Sequence, residues 1–166
     1  MTRLALLVFS SLAVLNSARA TDKCQAISDI AGQTAIAKPA AVAQLKKNPQ
    51  KGTLGEAWRL LWFIHYQDLE TLGVPERDQQ EIFKTIVALN FSNNPEVNYD
   101  IFREYFYLKC KRKERGLSSV SLSSIPAASL TGCWNSVANR SQFQVCVEKL
   151  MAPEKEKGTK KSSSMR

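Results

Sequence analysis

The chain has 166 residues, with 23 Lys and Arg against 15 Asp and Glu, a formal charge of +8 and one histidine. That length suits a single domain with a real hydrophobic core and argues against a multi-domain enzyme. A lone imidazole disfavours histidine-based metal sites, and no apolar run reaches the roughly 20 residues that span a bilayer.

Residues 1–20, MTRLALLVFSSLAVLNSARA, have the layout of a signal peptide. Arg3 supplies the basic start and Leu4 to Leu15 the apolar stretch. Ala18-Arg19-Ala20 has the small-x-small form of a cleavage site. We expect export, cleavage after Ala20, and a mature protein in the periplasm or outside the cell. Cleavage removes Arg3 and Arg19 and no acid, so the mature chain stays basic.

Cys24, Cys110, Cys133 and Cys146 all follow that site. An even number in an exported chain predicts two disulfides. Three pairings are open, of which we favour Cys24–Cys110 with Cys133–Cys146. The first ties the N-terminal helix to the end of a later one; the second closes a short loop. There is no C-x-x-C, and His65 is far along the chain from any cysteine, so neither metal nor cofactor is expected.

The mature chain opens with TDKCQAISDIAGQTAIA, where Cys24, Ile27, Ile30 and Ala31 recur at helical steps. Gly32 weakens this helix, and Lys38-Pro39 is expected to break or restart it. A short helix, PAAVAQLKK, then leads to the turn composition NPQKGT. Thr53 and Glu56 fit a capping box.

Residues 55–116 read as three amphipathic helices around which the rest is arranged. In the first, Trp58, Leu61, Trp62, Leu69 and Leu72 share a face and Gly73 ends the run. The second starts at Val74-Pro75, with Pro75 at its first position and Glu76 and Asp78 in the first turn. Ile82, Phe83, Ile86, Val87 and Leu89 form its apolar side. FSNNP turns the chain into the third, where Val97, Ile101, Tyr105 and Leu108 line one stripe, widened by Phe102 and Phe106. Lys109, Lys111, Arg112, Lys113 and Arg115 fill its last turns before Gly116. Short connections favour antiparallel neighbours. The oily and aromatic side chains of this region are expected to face inward together, leaving a charged exterior.

The serine-rich stretch 117–131 reads as an exposed, mobile crossover with a helical turn at Pro126–Leu130. Trp134, Val137, Phe143, Val145, Val147 and Leu150 mark a final helix or a hairpin broken near Asn139-Arg140-Ser141. From Pro153 the tail PEKEKGTKKSSSMR has no apolar periodicity and is expected to be disordered. The whole predicts an all-α, disulfide-stapled bundle of five to six helices over 21–152, after the signal peptide (1–20) and before the tail (153–166).

Catalytic patterns are absent. No G-x-G-x-x-G, phosphate loop or H-E-x-x-H occurs. His65 lies among Leu61, Leu69 and Leu72 and reads as a packed histidine. Asp68 and Glu70 lie two apart on a helix and diverge. Lys109, Lys111, Arg112, Lys113 and Arg115 are the candidate partner-binding residues. Export disfavours nucleic acid. The leading expectation is a non-enzymatic module that binds another protein, as an inhibitor, immunity protein or assembly accessory does. An anionic membrane surface, a cell-wall polymer, or an enzyme with paired carboxylates acting on wall material or lipid are the alternatives.

Overall fold

Six α-helices make up a computed structural model of the protein, which describes residues 22–47, 53 and 57–153. They are α1 (Lys23–Lys47), α2 (Ala57–Thr71), α3 (Glu76–Ala88), α4 (Pro95–Glu114), α5 (Ala127–Ser136) and α6 (Arg140–Met151), with a 3₁₀ turn at Leu122–Ser124. Among the described residues there is no strand, and the fold is all-α. The signal-peptide segment, the Glu56 half of the capping box and the basic tail after Pro153 lie outside the described residues.

The helix ends follow their sequence chemistry. Asp22 precedes α1 and its carboxylate accepts the Cys24 amide at 3.0 Å. Gly73 (φ 64°) and Gly116 (φ 70°) turn the chain in the left-handed conformation that side chains resist. Pro95 opens α4 behind the Asn94 cap, which accepts the Glu96 amide. Pro75 sits one position earlier than expected: it caps α3, and Glu76 is the first helical residue.

Two expectations about α1 change. α1 runs unbroken through Pro39. Its ring removes one backbone hydrogen bond, but Ala31 and Ala35 before it and Ala41 and Leu45 after it are buried together. Burial of one continuous face outweighs the local cost of about 3 kcal/mol. α1, not the 55–116 region, is the hub: it packs on α2, α3 and most extensively α4.

The α1–α4 pair is antiparallel. Cys24 is bonded to Cys110, Arg103 Nε donates to Asp29 Oδ1 at 2.9 Å, and Gly32 faces Tyr99. At Gly32 the Tyr99 ring occupies the space of a side chain, because a Cβ there falls 2.7 Å from it. Helix propensity alone favours Gly32→Ala by about 1 kcal/mol. The clash reverses that sign, and we expect a net loss of about 1 kcal/mol in urea unfolding. In a Tyr99→Ala background the same substitution should stabilise; destabilisation there would show that the ring is not the cause.

Inside this frame Leu61, Leu69, Phe83, Ile86, Phe102 and Tyr105 are fully buried. The second disulfide, Cys133–Cys146, joins α5 to α6, so both bridges take the favoured pairing. α5 and α6 form the broken hairpin, with Asn139 capping α6 by accepting the Gln142 amide at 3.0 Å. Val145, expected inside, is half exposed. The serine-rich stretch is anchored rather than loose. Leu122 and Ile125 are buried, Tyr105 Oη donates to the Val120 carbonyl at 3.0 Å, and the Val120 amide donates to the Met151 carbonyl. Burial, reinforced by the Glu81 charge, pushes the Tyr105 phenol up to about 12, so it remains a donor at neutral pH.

Candidate functional site

Three regions were candidates for chemistry or recognition: the basic end of α4, the groove beside it, and the outer face of α2.

At the basic end of α4 the charges are answered from within the chain. Lys109 Nζ lies 2.6 Å from Glu81, Lys113 Nζ 2.7 Å from Asp78, and Lys111 Nζ 2.9 Å from Asp22 and 3.2 Å from Glu114. Arg115 lies 3.9 Å from Glu148. Asp22, and secondarily Glu114, hold the Lys111 ammonium above its ordinary pKa; the same pairing lowers Asp22. Arg112 is not a surface group at all. It is 3% exposed, and its Nε and Nη2 donate to the Ser118 carbonyl at 2.8 and 2.6 Å. Its task is to hold the chain after Gly116. The structure therefore gathers these five residues at one helix end, but places Arg112 inside and pairs the rest with carboxylates.

The groove lies between α3 and α4 over the first turns of α1. Consecutive in sequence, α3 and α4 are not closely packed. A cavity of about 470 Å³ separates them, floored by Ile27, Val74, Ile82, Phe106 and the Cys110 sulfur. Glu81–Lys109 and Asp78–Lys113 bridge its mouth. Cys24, Cys110 and Glu114 also cluster there at metal-ligand spacing. Both sulfurs are spent in the disulfide, so no thiolate is offered. The 3.3 Å approach of Cys24 Sγ to Glu114 is a contact without a proton to share.

The outer face of α2 is different. Trp58, Trp62 and Tyr66 form a ladder along one side, with ring centroids 6.3 and 6.0 Å apart. Trp62 Nε1 donates to Gln79 Oε1 at 3.0 Å, and Gln79 donates onward to the Val74 carbonyl. Lys84 Nζ sits 4.6 Å over the Trp58 ring. Together with buried Ala57, Leu61 and Leu69 these contacts fix the rotation of α2. Phe63 and Ile64 then stand outward, 74% and 65% exposed, beside Leu60 at 37%. The expectation that apolar residues of 55–116 all face inward fails here. WFIHY is large and mostly apolar all round, so α2 cannot bury every member of it.

His65 takes the structural role. It stacks on Phe83 with ring planes 12° apart, and its Nδ1 is 3.9 Å from Asp68. Burial lowers its pKa below the ordinary 6.5, against an opposing pull from Asp68. The unfolded chain therefore takes the proton first. This contribution to stability is complete above 6.5 and is lost as pH falls from there to the depressed folded value. Urea midpoints at about pH 7.5 and about pH 5.5 check it: the wild type should weaken more over that interval than His65→Gln. The opposite order would mean that the fold stabilises the charged imidazole.

The one acid close to fully buried among the described residues is Glu104, 1% exposed. Both of its oxygens are engaged, one by Arg140 Nε and the other by Gln144 Nε2 at 2.7 Å. It lines neither the groove described above nor the smaller one beside Lys38. Asp68 is exposed beside His65, and Glu70 is on the surface.

Comparison with protein-family models, curated proteins and solved structures finds no match. The geometry alone then ranks the three regions. The basic end is internally neutralised, the groove mouth is bridged, and the α2 face presents three neighbouring large apolar side chains to solvent, where Ile36, Leu117 and Val145 are exposed singly. No sequence pattern singled it out, although Leu60, Phe63, Ile64 and Gln67 at steps of three, one and three form the second stripe of an all-round apolar helix.

Proposed function

We propose that this protein is an exported, non-enzymatic recognition module that binds another protein through α2. The observation that supports this most is the outward stripe of Leu60, Phe63 and Ile64 on a helix tied to α3 by the Trp62–Gln79 hydrogen bond. Isolated exposed apolar residues are ordinary, but three adjoining ones on one helix face have the form of a helix-packing surface. Covering Phe63 and Ile64 is worth roughly 1–2 kcal/mol each, and the already mostly buried Leu60 less. Two disulfides suit an oxidising compartment, and the leader-like residues 1–20 suit delivery to the periplasm or beyond. Inhibition, immunity or envelope assembly are roles open to such a module.

The test is affinity capture from the native envelope or secreted fraction with tagged mature protein. Phe63→Glu and Ile64→Glu should abolish recovery of a stoichiometric partner, while Lys113→Glu should leave it unchanged. Recovery lost with Lys113→Glu and kept with Phe63→Glu would return the site to the basic end of α4.

A further inference from the structure

We propose that the cavity beside Lys38 binds a small organic carboxylate with an apolar body, its charge held by the Lys38 ammonium. The site is separate from the α2 face and does not depend on the recognition reading.

The cavity holds about 370 Å³ between the second half of α1, the α3–α4 connection and the start of α4. That volume falls within the roughly 300–1,000 Å³ of small-molecule sites. Val42, Leu89 and Phe102 supply apolar walls, and Asn90 and Asn93 supply amides. Lys38 is the one charged side chain that lines it. In the groove beside α4, by contrast, lysines and acids occur together and pair across the mouth.

Lys38 is half-buried, and its Nζ donates to the Leu89 carbonyl at 2.6 Å. An ammonium has three protons to donate, so two remain. No carboxylate pairs with Lys38 among the described residues, and burial lowers its pKa from the ordinary lysine value. A cation drawn out of water without a counter-charge gains from an anion brought to it. The side-chain amides of Asn90 and Asn93 also make no hydrogen bond to other described residues. They stand on a wall that is already formed. Asn98 Oδ1 accepts the Phe91 and Ser92 amides at 2.9 and 3.3 Å, and its Nδ2 donates to the Ser92 carbonyl at 2.6 Å. Phe91 packs on Phe102, with ring centroids 5.3 Å apart. A preformed wall spares part of the ordering cost of binding. The cavity thus offers one positive charge, free amide donors beside it, and apolar walls for a hydrocarbon body.

Amide chemical shifts of the oxidised mature protein, followed at neutral pH as octanoate or phenylacetate is added, test this. The matched alcohols, octanol and phenylethanol, are the controls. A carboxylate should give saturable shifts confined to residues 35–42 and 89–102, and its alcohol should bind at least about tenfold more weakly. Lys38→Met keeps much of the side chain's length and removes its charge. It should weaken carboxylate binding about tenfold or more, to the level of the alcohol. Because Lys38 also holds the Leu89 carbonyl, Val42→Trp is a second variant: it keeps the ammonium, fills the cavity and should abolish the shifts. Far-UV circular dichroism confirms that each variant is folded. No saturable binding of either carboxylate overturns the proposal. So does an alcohol that binds as tightly as its carboxylate, or a folded Lys38→Met or Val42→Trp protein that binds the carboxylate as the wild type does. None of these outcomes bears on Phe63-dependent capture, so the recognition reading stands or falls separately.

Discussion

Replacing Cys24 and Cys110 together by alanine should remove about 4–5 kcal/mol of stability, against about 3 kcal/mol for Cys133 and Cys146. The bridges close loops with sequence separations of 86 and 13. Loop-closure entropy in the unfolded chain rises with the logarithm of that length, so the longer loop contributes more. The first bridge also staples the start of the hub helix to the far end of α4, the most extensive helix pair in the fold. A loss of this size is a large share of the 5–15 kcal/mol that holds a domain of this kind folded. Chemical denaturation of the two double variants measures both. Equal losses, or a larger loss at Cys133–Cys146, would show that local packing rather than chain restriction sets their worth.

Arg140→Ala should cost about 3 kcal/mol. Arg140 is the only cation on buried Glu104 among the described residues, and Gln144 supplies the other oxygen with a neutral donor. Removing the guanidinium strands a carboxylate in a site with little water. Half of Arg140 faces solvent, which places the cost at the lower end of the range for broken buried pairs. Replacing both partners with apolar residues, Glu104→Leu with Arg140→Met, should recover most of the loss, because no charge is then left to desolvate. Urea unfolding of the single and double variants separates these outcomes. A double variant as unstable as Arg140→Ala would mean that α4 and α6 need the ion pair itself for registration.

Much of this architecture was readable from local chemistry. The 3.6-residue spacing placed α2, α3 and α4, Gly73 and Gly116 placed two of their ends, and the cysteine positions favoured the pairing observed. What was not readable depends on contacts made at a distance. Pro39 is a breaker by its own chemistry, and only the burial of Ala35 and Ala41 on one face keeps α1 continuous. The lysines of α4 read as a bare basic patch because their carboxylates, Glu81, Asp78 and Asp22, lie 28, 35 and 89 positions away. Arg112 is indistinguishable in sequence from its neighbours, yet it alone turns inward to the Ser118 carbonyl. Within WFIHY the periodicity is uninformative, since nearly every residue is apolar or aromatic. The Trp62–Gln79 bond and the Ala57–Leu61–Leu69 face decide which side is left over.

That leftover side is where the functional reading is decided. A photoreactive amino acid placed at position 63, with a control at position 113, tests it in the native compartment. Irradiation should give a discrete adduct from position 63, to a second copy or to a different protein, and none from position 113. A clean adduct from position 113 with none from position 63 would place recognition at the α4 end and leave the α2 stripe as idle surface.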